Sequence, residues 1–180
     1  MGLGEGWDPP AEVLPWSDFH WWKVVAGKVI ELIVLSEMPL WYTGHFTGGR
    51  MKPCYGTDCA ECKKGTGGQI RYVLACAEVS SARVGIIEVG RTVGLQIREM
   101  ASSAGTSRGL WLEFGKETTA KQSRMTIKQV FDKTGDWWHE LPVPDMREAL
   151  AATWDKAKIE LPEGFQRSRR SMPPSGGYRK

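Results

Sequence analysis

The chain has 180 residues, of which 41% are hydrophobic and 25% charged, and its formal net charge is +3. This is the make-up of a soluble globular domain long enough for a real core, so any bound metal would add to packing instead of replacing it. No stretch is long and apolar enough to span a bilayer, and the N-terminus lacks a basic-then-apolar secretory pattern. The expectation is therefore a cytoplasmic protein with reduced thiols and no membrane partner.

Residues 1–18 are rich in Gly and Pro and carry Glu5, Asp8, Glu12 and Asp18 with no Lys or Arg, which predicts a flexible acidic arm. "WWKVVAGKVIELIVL" follows and reads as one long strand, with β-branched Val24, Val25, Val29, Ile30, Ile33 and Val34 and a bulge or bend at Gly27. "PLWYTGHF" is the next expected strand. It runs into "GHFTGGRMKPCYGTDCAECKKGTGG", residues 44–68, which holds three of the four cysteines and one of the three histidines. In "QIRYVLACAEV" two faces alternate: Ile70, Tyr72, Leu74 and Cys76 on one, Arg71, Val73, Ala75 and Ala77 on the other. "RVGIIEV" is a further strand.

The period then changes. Val93, Ile97, Met100, Ala101 and Ala104 recur at helical spacing, and Gly105 is placed to end the helix. "GLWLEFG" points Leu110, Leu112 and Phe114 inward, and "SRMTIKQVF" does the same with Met125, Ile127 and Phe131. A last helix is expected from Asp145 as N-cap, with Met146, Ala149, Leu150, Thr153, Trp154 and Ala157 as its buried stripe. From Gly164 onward five basic residues and no acid make a disordered basic tail, 164–180. The order is several strands, one helix, then two strands, and five strands with a helix between the third and fourth is the signature order of the OB-fold. The expected architecture is thus mainly β: an OB-fold-like five-stranded barrel over 19–163, with a zinc loop at 45–65 inserted between strands and a C-terminal helix.

The loop carries the chemistry. His45, Cys54, Cys59 and Cys62 follow one another as H-x8-C-x4-C-x2-C, and three thiolates with one imidazole suit tetrahedral Zn2+. The glycines around them supply turn conformations, and Lys52, Lys63 and Lys64 offset the negative charge of such a centre. A thioredoxin-type redox pair would sit between a strand and a helix, whereas this C-x2-C lies in a glycine-rich loop. Cys76 is a competing fourth ligand, though it falls on an apolar strand face. The H-x-E and P-C-x-x-C of zinc deaminases are missing, as are H-E-x-x-H and a phosphate-binding loop. The expected ion is therefore structural, in a protein that is not an enzyme and takes no small-molecule substrate.

A barrel of this order with a His-then-three-Cys loop resembles the zinc-containing single-stranded-DNA-binding proteins of tailed phages, over about residues 20–131. The spacings are shorter here than in those proteins, and this tail is basic where theirs is acidic. The resemblance implies an OB-fold that binds single-stranded DNA. Composition agrees: residues 41–72 and 108–133 each carry a surplus of three positive charges. Single-strand binders interleave basic residues, which track phosphates, with aromatics, which stack bases. The candidate contacts are Arg50, Lys52, Tyr55, Lys63, Lys64, Arg71, Tyr72, Trp111, Lys116, Lys121 and Arg124. The expected function is low-specificity single-stranded DNA binding in replication, recombination or repair, with self-association along the strand through the arm and tail. A single-stranded-RNA binder and a protein-docking subunit are the rivals.

Overall fold

The computed structural model describes residues 20–54, 59–119, 123–131, 135–147 and 149–150. The acidic arm, the basic tail, Tyr55, Lys121 and the expected helix positions Thr153, Trp154 and Ala157 lie outside these residues. Among the described residues no helix is long and apolar enough to cross a membrane.

The expected first strand is two strands. β1 (His20–Trp22) pairs in parallel with β6 (Val84–Gly90), and β2 (Val29–Val34) pairs elsewhere. Between them Gly27 takes φ +74, a left-handed turn that carries the chain from the edge of the sheet at β1 to its interior at β2. β2 is antiparallel to β5 (Gln69–Glu78), with Val34 opposite Cys76, and on its other side to β7 (Trp111–Thr118), with Leu32 opposite Leu112. β3 (Leu40–Thr47) continues along the same side of β5, Leu40 opposite Val73. β2 and β3 therefore act as one strand line interrupted at residues 36–39. The break is clamped by Ser107, whose hydroxyl donates to the Ser36 carbonyl at 2.9 Å, and by Arg108, whose guanidinium donates to the Leu35 carbonyl at 2.9 Å.

β4 (Arg50–Pro53) folds back on β3, and β8 (Ser123–Gln129) on β7. The sheet runs β1-β6-β5-β2-β7-β8, with β3 and β4 branching from β5. It does not close: among the described residues no ladder joins β6 to β8, because β1 takes the outer edge of β6. The helix α2 (Arg91–Ser102) contacts β5, β6 and β8, so the two ends of the five-strand run approach each other across it.

That side of the sheet holds the main core. Leu32, Val34, Leu74, Cys76, Ile87, Val89, Leu112 and Phe114 meet Val93 and Ile97 of α2, with Met125 and Ile127 packed alongside. The helical stripe is as expected except for Ala104, which is exposed beyond the helix end. Phe131, expected inward, is 78% exposed, because β8 ends at Gln129 and its alternation stops there. Cα-only Gly94 lies against Tyr72, and a Cβ at that position would overlap the ring.

The opposite side is covered too. Ile33, Leu35, Ala75, Ala77 and Val84 pack beneath Trp138, Leu141, Val143 and Met146, while Tyr42, Val73 and Ile86 pack with Ala149 and Leu150. Small Ala75 and Ala77 leave room for the bulky side chains above them. Asp145 caps as expected: its carboxylate accepts from the Arg147 amide at 2.9 Å. Both faces of β5 are thus buried, which makes it the central strand.

A polar triad crosses this second face. The Tyr42 hydroxyl donates to Glu88 at 2.7 Å, and Arg71 Nε donates to the other oxygen of Glu88 at 2.7 Å. Burial, then the charge of Glu88, pushes the Tyr42 phenol far above its ordinary value. The folded state therefore keeps a proton that the unfolded chain loses above about pH 10. The resulting stability is fully present below that pH and declines as pH rises past it, by up to about 1.4 kcal/mol per unit. The alkaline decline in urea-unfolding midpoint between pH 9 and 11 should be shallower for Tyr42→Phe than for the parent. Parallel declines would show that the buried phenol is not its source.

Candidate metal centre

Strand alternation sets the first candidate ligand. His45 lies on β3 directly opposite Lys52, and is 1% exposed. The hairpin turn between them is Gly48–Gly49, with φ +59 and +76, the left-handed pair that a two-residue β-turn requires. After β4 the Cys54 amide donates to the Thr43 carbonyl at 2.7 Å, which holds Cys54 diagonally across from His45 on the same side of the hairpin. The short helix α1 (Ala60–Lys63) contributes the other two: Cys59 is its N-cap residue and Cys62 lies one turn on. Gly65, φ +77, then reverses the chain toward β5, and Gly68 passes so close that a Cβ would come within 2.8 Å of Thr43.

One donor atom from each of His45, Cys54, Cys59 and Cys62 lies within 4.8 Å of all the others, so the four can hold a metal ion. The Cys54 and Cys62 sulfurs are 3.5 Å apart, and Cys62 Sγ is 3.3 Å from His45 Nε2. Sulfurs bound at about 2.3 Å to a tetrahedral ion would stand about 3.8 Å apart, close to this spacing. His45 Nδ1 is buried with no hydrogen-bond partner among the described residues, while Nε2 is the ring nitrogen that faces Cys62 Sγ. Crowding favours a cation. Hydrogen bonding to Cys54, then desolvation, then Cys59 pushes the Cys62 thiol up to about 11, because each new thiolate would face the other sulfurs.

Cys76 is not part of the cluster. It is fully buried in the main core beside Leu74, and burial pushes its thiol up. The choice between His45 and Cys76 is settled by direction: Cys76 points into the sheet's packed side, His45 into the loop.

The candidate nucleic-acid contacts separate into groups. Lys52, Lys63 and Lys64 are exposed around the cluster, with Lys64 3.2 Å from Glu61. Arg50 is described by its backbone alone, opposite Thr47. Arg124 is exposed on β8, across from Glu117. Lys116 is half-buried where its carbonyl accepts from the Gly27 amide at 3.4 Å. Arg71, Tyr72 and Trp111 are engaged elsewhere. Arg71 is committed to Glu88, Tyr72 is packed against the main core, and Trp111 lies edge-on to Trp137 with centroids 6.4 Å apart.

Phe46 was absent from the sequence-based set. It is 59% exposed on β3, on the hairpin side opposite its neighbour His45. The signal was the alternation itself: once His45 is a ligand, the adjacent aromatic must face away. Trp138, Leu141 and Val143, to which the sequence assigned no role, join Met146, Ala149 and Leu150 of the expected last helix in covering the face where Arg71 and Trp111 emerge.

Comparison of the chain with protein-family models, curated proteins and solved structures returned no match. The fold and the site define a mainly β protein with a His/Cys cluster able to bind a metal ion.

Proposed function

We propose that this protein is a non-enzymatic binder of single-stranded DNA with little sequence preference, built on an OB-like frame, and that the ion in its loop is structural Zn2+. The observation that carries this is where the cluster falls in the strand order. With β2 and β3 as one line, the pairings run first to second, second to third, first to fourth and fourth to fifth, with α2 between third and fourth. This order matches that of an OB-fold left partly open, which supports the reading, and the metal loop then falls between the first and second strands. In OB-folds this loop is one of two that flank the bound oligonucleotide. Zinc is favoured because three thiolates and an imidazole fill a tetrahedral shell and leave no position for water.

Since residues 137–150 cover the outer face of β5 and β6, the binding surface lies on the β3–β4 hairpin and metal loop. Lys52, Lys63 and Lys64 hold phosphates on the His45 side of the hairpin, and Phe46, on its other side, stacks on a base where the strand passes round it. Gel-shift or anisotropy titrations of an oligonucleotide should show single strands preferred to duplex, weakening with salt and after chelation. Absence of binding at low salt would sink the proposal; equal competition by RNA would widen it to single strands in general. Phe46→Ala should lose roughly 5- to 100-fold in affinity while leaving the salt slope unchanged, since stacking releases no counterions. Charge reversal at Lys52 should lower the slope.

A further inference from the structure

The four donors are not equally sheltered. His45 is 1% and Cys59 4% exposed, whereas Cys54 is half-buried and Cys62 is at the surface. The two accessible ligands are also neighbours, their sulfurs 3.5 Å apart. We infer that Cys54 and Cys62 form a hydroperoxide-sensitive pair whose oxidation to a disulfide releases the metal and disables the hairpin surface. The inference rests on the metal-binding reading of the cluster and adds a means of regulating it.

The chemistry balances with one hydroperoxide. The Cys62 thiolate attacks a peroxide oxygen: an S–O bond forms, the O–O bond breaks, and the departing hydroxide takes a proton to become water. Cys62 is then a sulfenic acid. The Cys54 thiolate attacks that sulfur, an S–S bond forms, the S–O bond breaks, and the second hydroxide is protonated by solvent. Two thiolates lose one electron pair between them, and one hydrogen peroxide becomes two waters. His45 and Cys59 remain, two donors where four were needed, and the ion dissociates. Cys59 is shielded from the oxidant by its burial, so it is not the first thiol attacked. Cys76, enclosed in the main core, serves as an internal control that stays reduced.

The test uses the full chain loaded with zinc and treated with hydrogen peroxide in small stoichiometric steps. A chromogenic chelator reads released zinc, while alkylation and peptide mass mapping locate the disulfide. The expected result is about one zinc released per Cys54–Cys62 link, reversed by a dithiol with added zinc. Retained zinc, a dominant Cys59–Cys62 link, or direct over-oxidation of Cys62 would overturn the inference. Cys54→His keeps four donors but removes the resolving thiol. It should accumulate a Cys62 sulfenic acid that a 1,3-dione probe traps, and a variant that still forms a disulfide at Cys62 would overturn the assignment of Cys54. A parent chain that takes up no zinc would refute the metal reading itself, a different failure.

Discussion

Cys59→Ser is expected to cost at least about two orders of magnitude in zinc affinity and to abolish single-stranded DNA binding while the main core stays folded. A structural zinc site is worth roughly 10–16 kcal/mol in apparent binding free energy, so one ligand in four carries about 2.5–4 kcal/mol. A serine hydroxyl does not replace a thiolate toward this ion. Cys59 is also the thiol of the cluster least open to substitution by water, being 4% exposed at the start of α1. The core cluster of β2, β5, β6, β7, β8 and α2 contains none of the four ligands. The main thermal transition should therefore stay near that of the parent, while trypsin cuts after Lys63 or Lys64 far faster. Stoichiometric zinc retained by the serine variant would remove Cys59 from the site. Global unfolding would mean that the loop supports the core as well as the surface.

Gly94→Ala should destabilise the protein by about 2 kcal/mol, although alanine is the better helix former. Propensity alone would favour the change by up to about 1 kcal/mol in α2. Against it, the added methyl would sit 2.5 Å from Tyr72 Cγ and 2.7 Å from Cε2. Overpacking of this kind costs roughly 1–3 kcal/mol or more when the neighbour cannot move, and Tyr72 is held between α2 and the main core. A Tyr72→Leu background should recover much of the loss, giving a coupling of at least about 1.5 kcal/mol in a double-mutant cycle. A neutral or stabilising Gly94→Ala would show that α2 is not seated on Tyr72. The same cycle tests the tyrosine's role. As a core side chain, its replacement by leucine changes stability and leaves DNA affinity per folded molecule unchanged.

Much of this molecule was legible in local patterns. The stripe of Val93 and Ile97, the inward set Leu110, Leu112 and Phe114, and the Asp145 cap each depend on residues within a turn or two of one another. The four ligands belong to the same class. Their spacing, a hairpin with left-handed glycines and one helical turn are enough to converge them.

Periodicity states which way a side chain points but not what lies on the far side. Arg71 and Trp111 do alternate outward from the main core, yet outward means Glu88 for one and Trp137 for the other. Tyr72 points inward, and only the seating of α2 shows how tightly. Thus the sequence by itself determined the mainly β character, the placement of α2 and the His/Cys cluster, because short-range spacing and backbone preference act within a segment. Only the tertiary structure decided the split at Gly27, the open sheet, the joined line of β2 and β3 and the covering by residues 137–150. Those depend on which surfaces far apart in the chain exclude water together, and no local pattern encodes the partner.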